Sequence, residues 1–122
     1  MKHVIDLTEN NVYYAPKEFQ QARIKYHAFP VSGKKVPSKA LCEQFCDIIE
    51  EHAPLLEGNE YIGVHCTGGK NRTGFMVCYY ILWRFPYLQV RHALADFEEA
   101  RGFGIDKPEW IDALHEYFSP AA

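Results

Sequence analysis

Hydrophobic and polar positions along this chain change period several times, and each change marks an element. Residues 4–8 read as a short strand, and Ile24-Lys25-Tyr26-His27-Ala28-Phe29 alternates as a second strand does. Between them, Pro16-Lys17-Glu18-Phe19-Gln20-Gln21-Ala22 sets a proline at the first position of a one- or two-turn helix. Prolines bound a loop over residues 30–37, which contains Ser32-Gly33-Lys34-Lys35. Ser38 is placed to cap a helix reaching about His52, with Leu41, Phe45, Ile48 and Ile49 at helical spacing, and residues 54–59 end it. The apolar content of Tyr61-Ile62-Gly63-Val64-His65 predicts a strand buried on both faces. From Thr73 to about Arg84 runs an almost wholly apolar helix, expected at the centre. Another spans Leu88 to Arg101 and stops at Gly102, and Pro108 opens a last one that ends near Phe118. This order predicts one α/β domain over residues 1–122, a small central, mostly parallel or mixed sheet flanked by helices. Open sheets of that kind place reactive groups at the carboxyl ends of their strands.

Between the third strand and the central helix lies His65-Cys66-Thr67-Gly68-Gly69-Lys70-Asn71-Arg72-Thr73-Gly74. A thiol attacks phosphorus as the thiolate, which forms near neutral pH when amide N–H groups, a helix N-terminus and a fixed cation surround it. Gly68 and Gly69 let the backbone turn inward, so that the amides of Thr67 to Asn71 converge on phosphate oxygens. The following helix points its positive end at the same place. Arg72 offers a planar fork that matches two of those oxygens, which a lysine cannot do. Thr73 is spaced to hydrogen-bond the sulfur, and His65 to brace the loop from behind. The chemistry expected of this stretch is therefore a Cys66 nucleophile held against a phosphoryl group. Its plain alternatives are a buried free cysteine beside a surface arginine, or a zinc site. The remaining cysteines argue against zinc: Cys42 and Cys46 are four apart on a helix, Cys78 sits in the apolar helix, and none forms a C-x-x-C pair. Core packing is the expected role of all three.

Composition narrows the setting. With 48% hydrophobic residues in 122, the chain has enough apolar surface for one core, which excludes a disordered segment. No apolar run approaches the roughly 20 residues that span a bilayer, so no membrane contact is expected. Charges interrupt Met1-Lys2-His3-Val4-Ile5-Asp6, unlike a signal peptide. A cysteine required as thiolate points to a reducing intracellular compartment, nuclear or cytoplasmic, including that of a virus-encoded protein in its host cell. A net charge of −3 argues against a strongly basic nucleic-acid binder, but its distribution is uneven. Residues 61–91 hold four bases and no acid, whereas residues 40–60 hold six acids and no base. The reactive loop thus lies in a locally basic segment, and most acids are solvated helix faces.

The run of His65-Cys66, five residues and then Arg72-Thr73 resembles the signature of cysteine-dependent phosphatases of the dual-specificity class. Val4-Ile5-Asp6-Leu7-Thr8, Ile24-Lys25-Tyr26, Ile62-Gly63-Val64-His65-Cys66-Thr67, Asn71-Arg72-Thr73-Gly74-Phe75 and Ala100-Arg101 further resemble one branch, in order. That branch is the RNA 5′-triphosphatases of metazoan mRNA-capping enzymes and relatives that remove phosphates from RNA 5′ ends. The resemblance implies a cysteine-phosphatase-like fold, Cys66 as nucleophile, Arg72 as phosphate clamp and an RNA 5′ end as substrate. It implies a guanylyltransferase or other RNA-processing protein as partner. Two departures stand out: Gly68 replaces a histidine usual in the RNA branch, and that branch usually has more chain before its first strand. The lysine-centred motif of a guanylyltransferase is not present, so this chain alone would not complete a cap.

Leaving-group chemistry separates the substrate classes. Ser, Thr and Tyr leave poorly, and phosphoprotein phosphatases of this class use an Asp roughly 30 residues before the cysteine to protonate the departing oxygen. Between His27 and Cys42 this chain has no Asp or Glu, and carries Lys34 and Lys35 instead. A diphosphate departs as a stable anion and needs cations more than an acid. The expected reaction is hydrolysis of terminal phosphate from tri- or diphosphorylated RNA through a cysteinyl-phosphate, with no metal, since the loop supplies the positive field. Lys70 and Arg101, with Lys34 and Lys35, are candidates to hold the inner phosphates, against the alternative that each is a solvated surface cation. Asp6, Asp47 and Asp106 stay open as acids. The alternatives are a dual-specificity phosphatase acting on phosphoprotein or another small phosphorylated ligand, and a silent module that only captures phosphate ends.

Overall fold

The computed structural model describes residues 3–8, 25–56, 58, 60–66 and 71–119. The helix expected over residues 16–22, and Ile24, lie outside them. Three strands, β1 (His3–Asp6), β2 (Lys25–Ala28) and β3 (Ile62–His65), form a sheet in the order β2-β1-β3. Both pairings are parallel: His3 lies opposite Lys25 and Ile62, and Asp6 opposite Ala28 and His65. Parallel strands joined by crossovers all end at one edge of the sheet. The segments following β1, β2 and β3 therefore emerge together, and beyond β2 the pairing continues as Phe29 N–H donates to Asp6 O (2.8 Å) and Val31 N–H to Leu7 O (2.9 Å).

The strand buried on both faces is β1, not β3. Val4, Ile5, Asp6 and Leu7 are at most 4% exposed, whereas Ile62, Gly63 and Val64 are half-buried at the edge of the described sheet. Apolar content pointed to β3 because β1 carries His3 and Asp6, whose polar atoms have protein partners. The Asp6 carboxylate accepts from Thr8 N–H (2.9 Å), the Thr8 hydroxyl and the Tyr26 hydroxyl, and His3 Nδ1 lies 3.2 Å from His27 Nε2. Buried polar groups satisfied in this way add little cost to a central strand.

Among the described residues, four helices flank the sheet. In α1 (Lys39–His52) the Ser38 hydroxyl accepts from Leu41 N–H at 3.1 Å, and Cys42, Phe45 and Cys46 form the buried stripe. A short 3₁₀ turn, Ala53–Leu55, follows. The helix expected at the centre is α2 (Asn71–Arg84), which packs against β3, α1, α3 (Val90–Arg101) and α4 (Pro108–Tyr117). Thr73, Gly74, Phe75, Met76, Cys78, Tyr79 and Leu82 are its buried residues. Phe75 meets Trp110 edge-on at 5.6 Å between centroids, an arrangement worth about 0.5–1.5 kcal/mol beyond the area buried. Gly74 sets the spacing of α2 and α3: a Cβ there would lie 2.8 Å from Phe97 and 2.9 Å from Ile105. Among the described residues, no helix is long and apolar enough to cross a membrane.

Candidate active site

Cys66 directly follows β3, and Asn71 begins α2, so the thiol and the helix N-terminus are brought together by a connection of only four residues. Those four, Thr67, Gly68, Gly69 and Lys70, lie outside the described residues, as does the side chain of His65, so the amide cradle and brace expected of them are not described. The groups on either side are placed closely. Cys66 is 9% exposed, and the Thr73 hydroxyl, itself 1% exposed, donates to Cys66 Sγ at 3.0 Å. A hydroxyl aimed at the sulfur from the first turn of a 14-residue helix adds to the positive potential of that helix end.

Arg72 is half-buried beside Thr73 in the same turn, and the loop after β2 lies on it. Its Nη1 donates to Val31 O at 3.2 Å, and a Cβ on Gly33 would lie 3.4 Å from both Cζ and Nε of the guanidinium. From the other side Lys107 Nζ donates to Gly33 O at 2.6 Å. Two cations thus hold the backbone of the loop that carries Lys34 and Lys35. Those two side chains are exposed, which suits either a second phosphate contact or solvent. Asn71 joins the start of α2 to the α3–α4 connection, since its Nδ2 donates to Asp106 Oδ1 (2.8 Å) and its Oδ1 accepts from Asp106 N–H (3.0 Å). Arg101 is exposed at the end of α3, with its guanidinium 5.5 Å from the Phe103 ring centroid. It lines a half-open apolar cavity of about 430 Å³ together with Val64 and Thr73, and so shares a wall with the residue that contacts the sulfur.

The acids left open by the sequence take distinct positions. Asp6 is fully buried among its hydrogen-bond donors, which makes it a bracket between β1 and β2. Asp47 is exposed on α1, on the helix whose thiols it influences. Asp106, exposed and paired with Asn71, is the acid held at the start of α2. The other cysteines are core residues: Cys42, Cys46 and Cys78 are buried and free, Cys42 Sγ touching Met76 Sδ at 3.8 Å and Cys78 Sγ lying 3.5 Å from Ala93 O. Burial pushes all three thiols up to about 12, so they are protonated and inert at neutral pH. Sequence reasoning missed Val31 and Gly33 as neighbours of Arg72, and Lys107 as the cation that holds Gly33. Lys107 and Gly33 are 74 residues apart, and no local pattern links them.

A cysteine at the carboxyl end of a parallel strand, hydrogen-bonded from the first turn of a helix that also presents an arginine, defines a cysteine-dependent phosphatase. The chain belongs to the DSP-PTPase phosphatase family: the family model described as "Polymorphic toxin system, DSP-PTPase phosphatase" matches residues 1–85. Among curated proteins it is 34% identical over 111 residues to a "Tyrosine-protein phosphatase" of Autographa californica nuclear polyhedrosis virus, covering 91% of this chain and 65% of that one. It is 32% identical over 118 residues to the "mRNA-capping enzyme" of Mus musculus, covering 93% of this chain and 19% of that one. To the "RNA/RNP complex-1-interacting phosphatase" of Rattus norvegicus it is 31% identical, over 93% of this chain and 34% of that one. The chain thus spans less than two thirds of each of these relatives. In fold it is similar to Tk-PTP in the active form (TM-score 0.82, 21% identity, 98% of this chain and 80% of that one). It is also similar to DUSP15 (TM-score 0.77, 20% identity, 98% and 70%).

Proposed function

We propose that this phosphatase removes terminal phosphate from the 5′ end of tri- or diphosphorylated RNA. Cys66 Sγ attacks the terminal phosphorus in line, forming an S–P bond as the bridging P–O bond breaks and the shortened RNA end leaves as an anion. Water then attacks the cysteinyl-phosphate, orthophosphate departs, and the sulfur is regenerated as thiolate. Arg72 holds two oxygens of the transferred group, the backbone over residues 67–71 receives the rest, and the Thr73 hydroxyl stabilises the sulfur both as nucleophile and as leaving group. Lys70, Arg101, Lys34 and Lys35 are the cations proposed for the inner phosphates. No metal enters these steps, and turnover is expected to survive excess EDTA.

The observation that carries the reading is the loop lying on Arg72. Val31 O and Gly33 lie against the guanidinium, and the loop they belong to carries Lys34 and Lys35 and no carboxyl group, which suits a leaving group that departs as a stable anion. Relatives with the printed names "mRNA-capping enzyme" and "RNA/RNP complex-1-interacting phosphatase" support it. A guanylyltransferase or other RNA-processing protein is the proposed partner, and the four free cysteines support a reducing, intracellular setting, nuclear or cytoplasmic. One observation favours phosphoprotein as a second reading: Asp106 is held at the start of α2, where a carboxyl group could protonate a departing hydroxyl. The two readings separate in a comparison of kcat/KM on 5′-triphosphorylated RNA and on a phosphotyrosine peptide. Preference for the peptide, with activity lost in Asp106→Asn, would overturn the RNA assignment.

A further inference from the structure

On one face of the sheet, three histidines far apart in sequence meet. His3 opens β1, His27 lies in β2 and His52 ends α1. His3 and Ile5 share a face of β1, and His27 pairs with Ile5, so both histidines point toward the side on which His52 lies. The rings sit against one another, with centroids 5.4 Å apart for His3 and His27, 4.6 Å for His3 and His52, and 4.7 Å for His27 and His52. One nitrogen from each lies within 4.8 Å of the other two.

We propose that His3, His27 and His52 bind a divalent transition-metal ion, zinc in the first instance, that ties β1, β2 and α1 together. Three observations carry this. A tetrahedral zinc with Zn–N bonds of about 2.1 Å separates its ligand nitrogens by about 3.4 Å. His3 Nδ1 and His27 Nε2 are already 3.2 Å apart, and closing the third nitrogen onto them takes a movement of at most about 1.5 Å. His52 Nδ1 is buried with no hydrogen-bond partner, an arrangement that costs free energy unless something accepts its lone pair or takes its proton. Neutral imidazole is also the ligand that zinc shares with copper and nickel. Water completes the coordination.

The test uses the full chain as Cys66→Ser, which removes a thiolate able to bind zinc by itself. Titration with zinc chloride, followed by histidine ring NMR, is expected to shift three of the six histidines, those at positions 3, 27 and 52, with one ion bound per chain. At a hundredfold excess of zinc over Kd, Tm is expected to rise by roughly 10 °C. His52→Ala and His27→Gln, each made in the same background and checked for native circular dichroism, are expected to bind about 100-fold more weakly. Zinc that shifts other histidines, binds equally in both variants, or does not bind at micromolar concentration would reduce the cluster to stacked, hydrogen-bonded rings. Turnover by the wild-type enzyme in EDTA is unaffected by either result, so the metal site and the proposed reaction stand or fall separately.

Discussion

Replacing Thr73 by valine isolates the contact between Thr73 and the sulfur. The two side chains have the same shape, and Thr73 is 1% exposed, so valine fills the same space and deletes only the hydroxyl that donates to Cys66 Sγ at 3.0 Å. A hydrogen bond to a charged acceptor contributes about 1.5–3 kcal/mol. At about 1.4 kcal/mol per tenfold in rate, kcat should fall by about 10–150-fold. The sulfur must be stabilised in both attack and departure, so single-turnover phosphate release from γ-labelled triphosphate RNA should show both formation and hydrolysis of the cysteinyl-phosphate slowed. KM should change by less than about twofold, because the hydroxyl is directed at the sulfur and not at substrate. Thr73→Ser keeps the donor and should recover most of the rate. A Thr73→Val enzyme within about threefold of wild type, with Thr73→Ser no better, would refute the claim that this hydroxyl serves the nucleophile.

Further outcomes follow from other contacts. Arg72→Lys keeps the charge but loses the planar fork and its bond to Val31 O, so kcat/KM should fall about 10²–10³-fold; a loss under fivefold would remove the bidentate role. Native protein alkylated at neutral pH and analysed by mass spectrometry should be labelled at Cys66, while Cys42, Cys46 and Cys78, pushed up to about 12 by burial, react only after unfolding or as pH rises toward that value; equal labelling of all four would contradict their burial. Gly74→Ala gains about 1 kcal/mol of helix propensity and incurs about 1–3 kcal/mol of crowding against Phe97 and Ile105, so Tm should fall by up to about 8 °C, and a rise would show that α3 can move aside.

Periodicity located what local sequence controls. Ser38 caps α1, and Pro108 opens α4 where the pattern placed them. The central position of α2 was legible because almost every side chain on it is apolar, whereas its start moved from Thr73 to Asn71 because Asn71 is held by Asp106 from another loop. The next helix starts at Val90, two residues later than its apolar pattern suggested, since Leu88 closes a turn onto Phe85 O. Burial of strands was misjudged for a related reason: β1 contains His3 and Asp6, and only tertiary partners make them acceptable inside. The contact of Thr73 with Cys66 could be read from spacing, but the loop that covers Arg72 and the three histidines are assembled by the sheet register, which no sequence window contains.

Three consecutive residues at the start of α2 look in three directions: Arg72 toward the loop over Val31 and Gly33, Thr73 toward the sulfur, and Gly74 toward Phe97 and Ile105. Successive helical positions are turned by about 100°, so anchoring all three removes rotation of that turn about its own axis. The aim of the hydroxyl and the guanidinium is therefore set in part from the far side of the helix, by a hydrogen atom where any other residue carries carbon. A mutational library that spares every phosphate-facing side chain yet varies position 74 should still yield mostly silent enzymes.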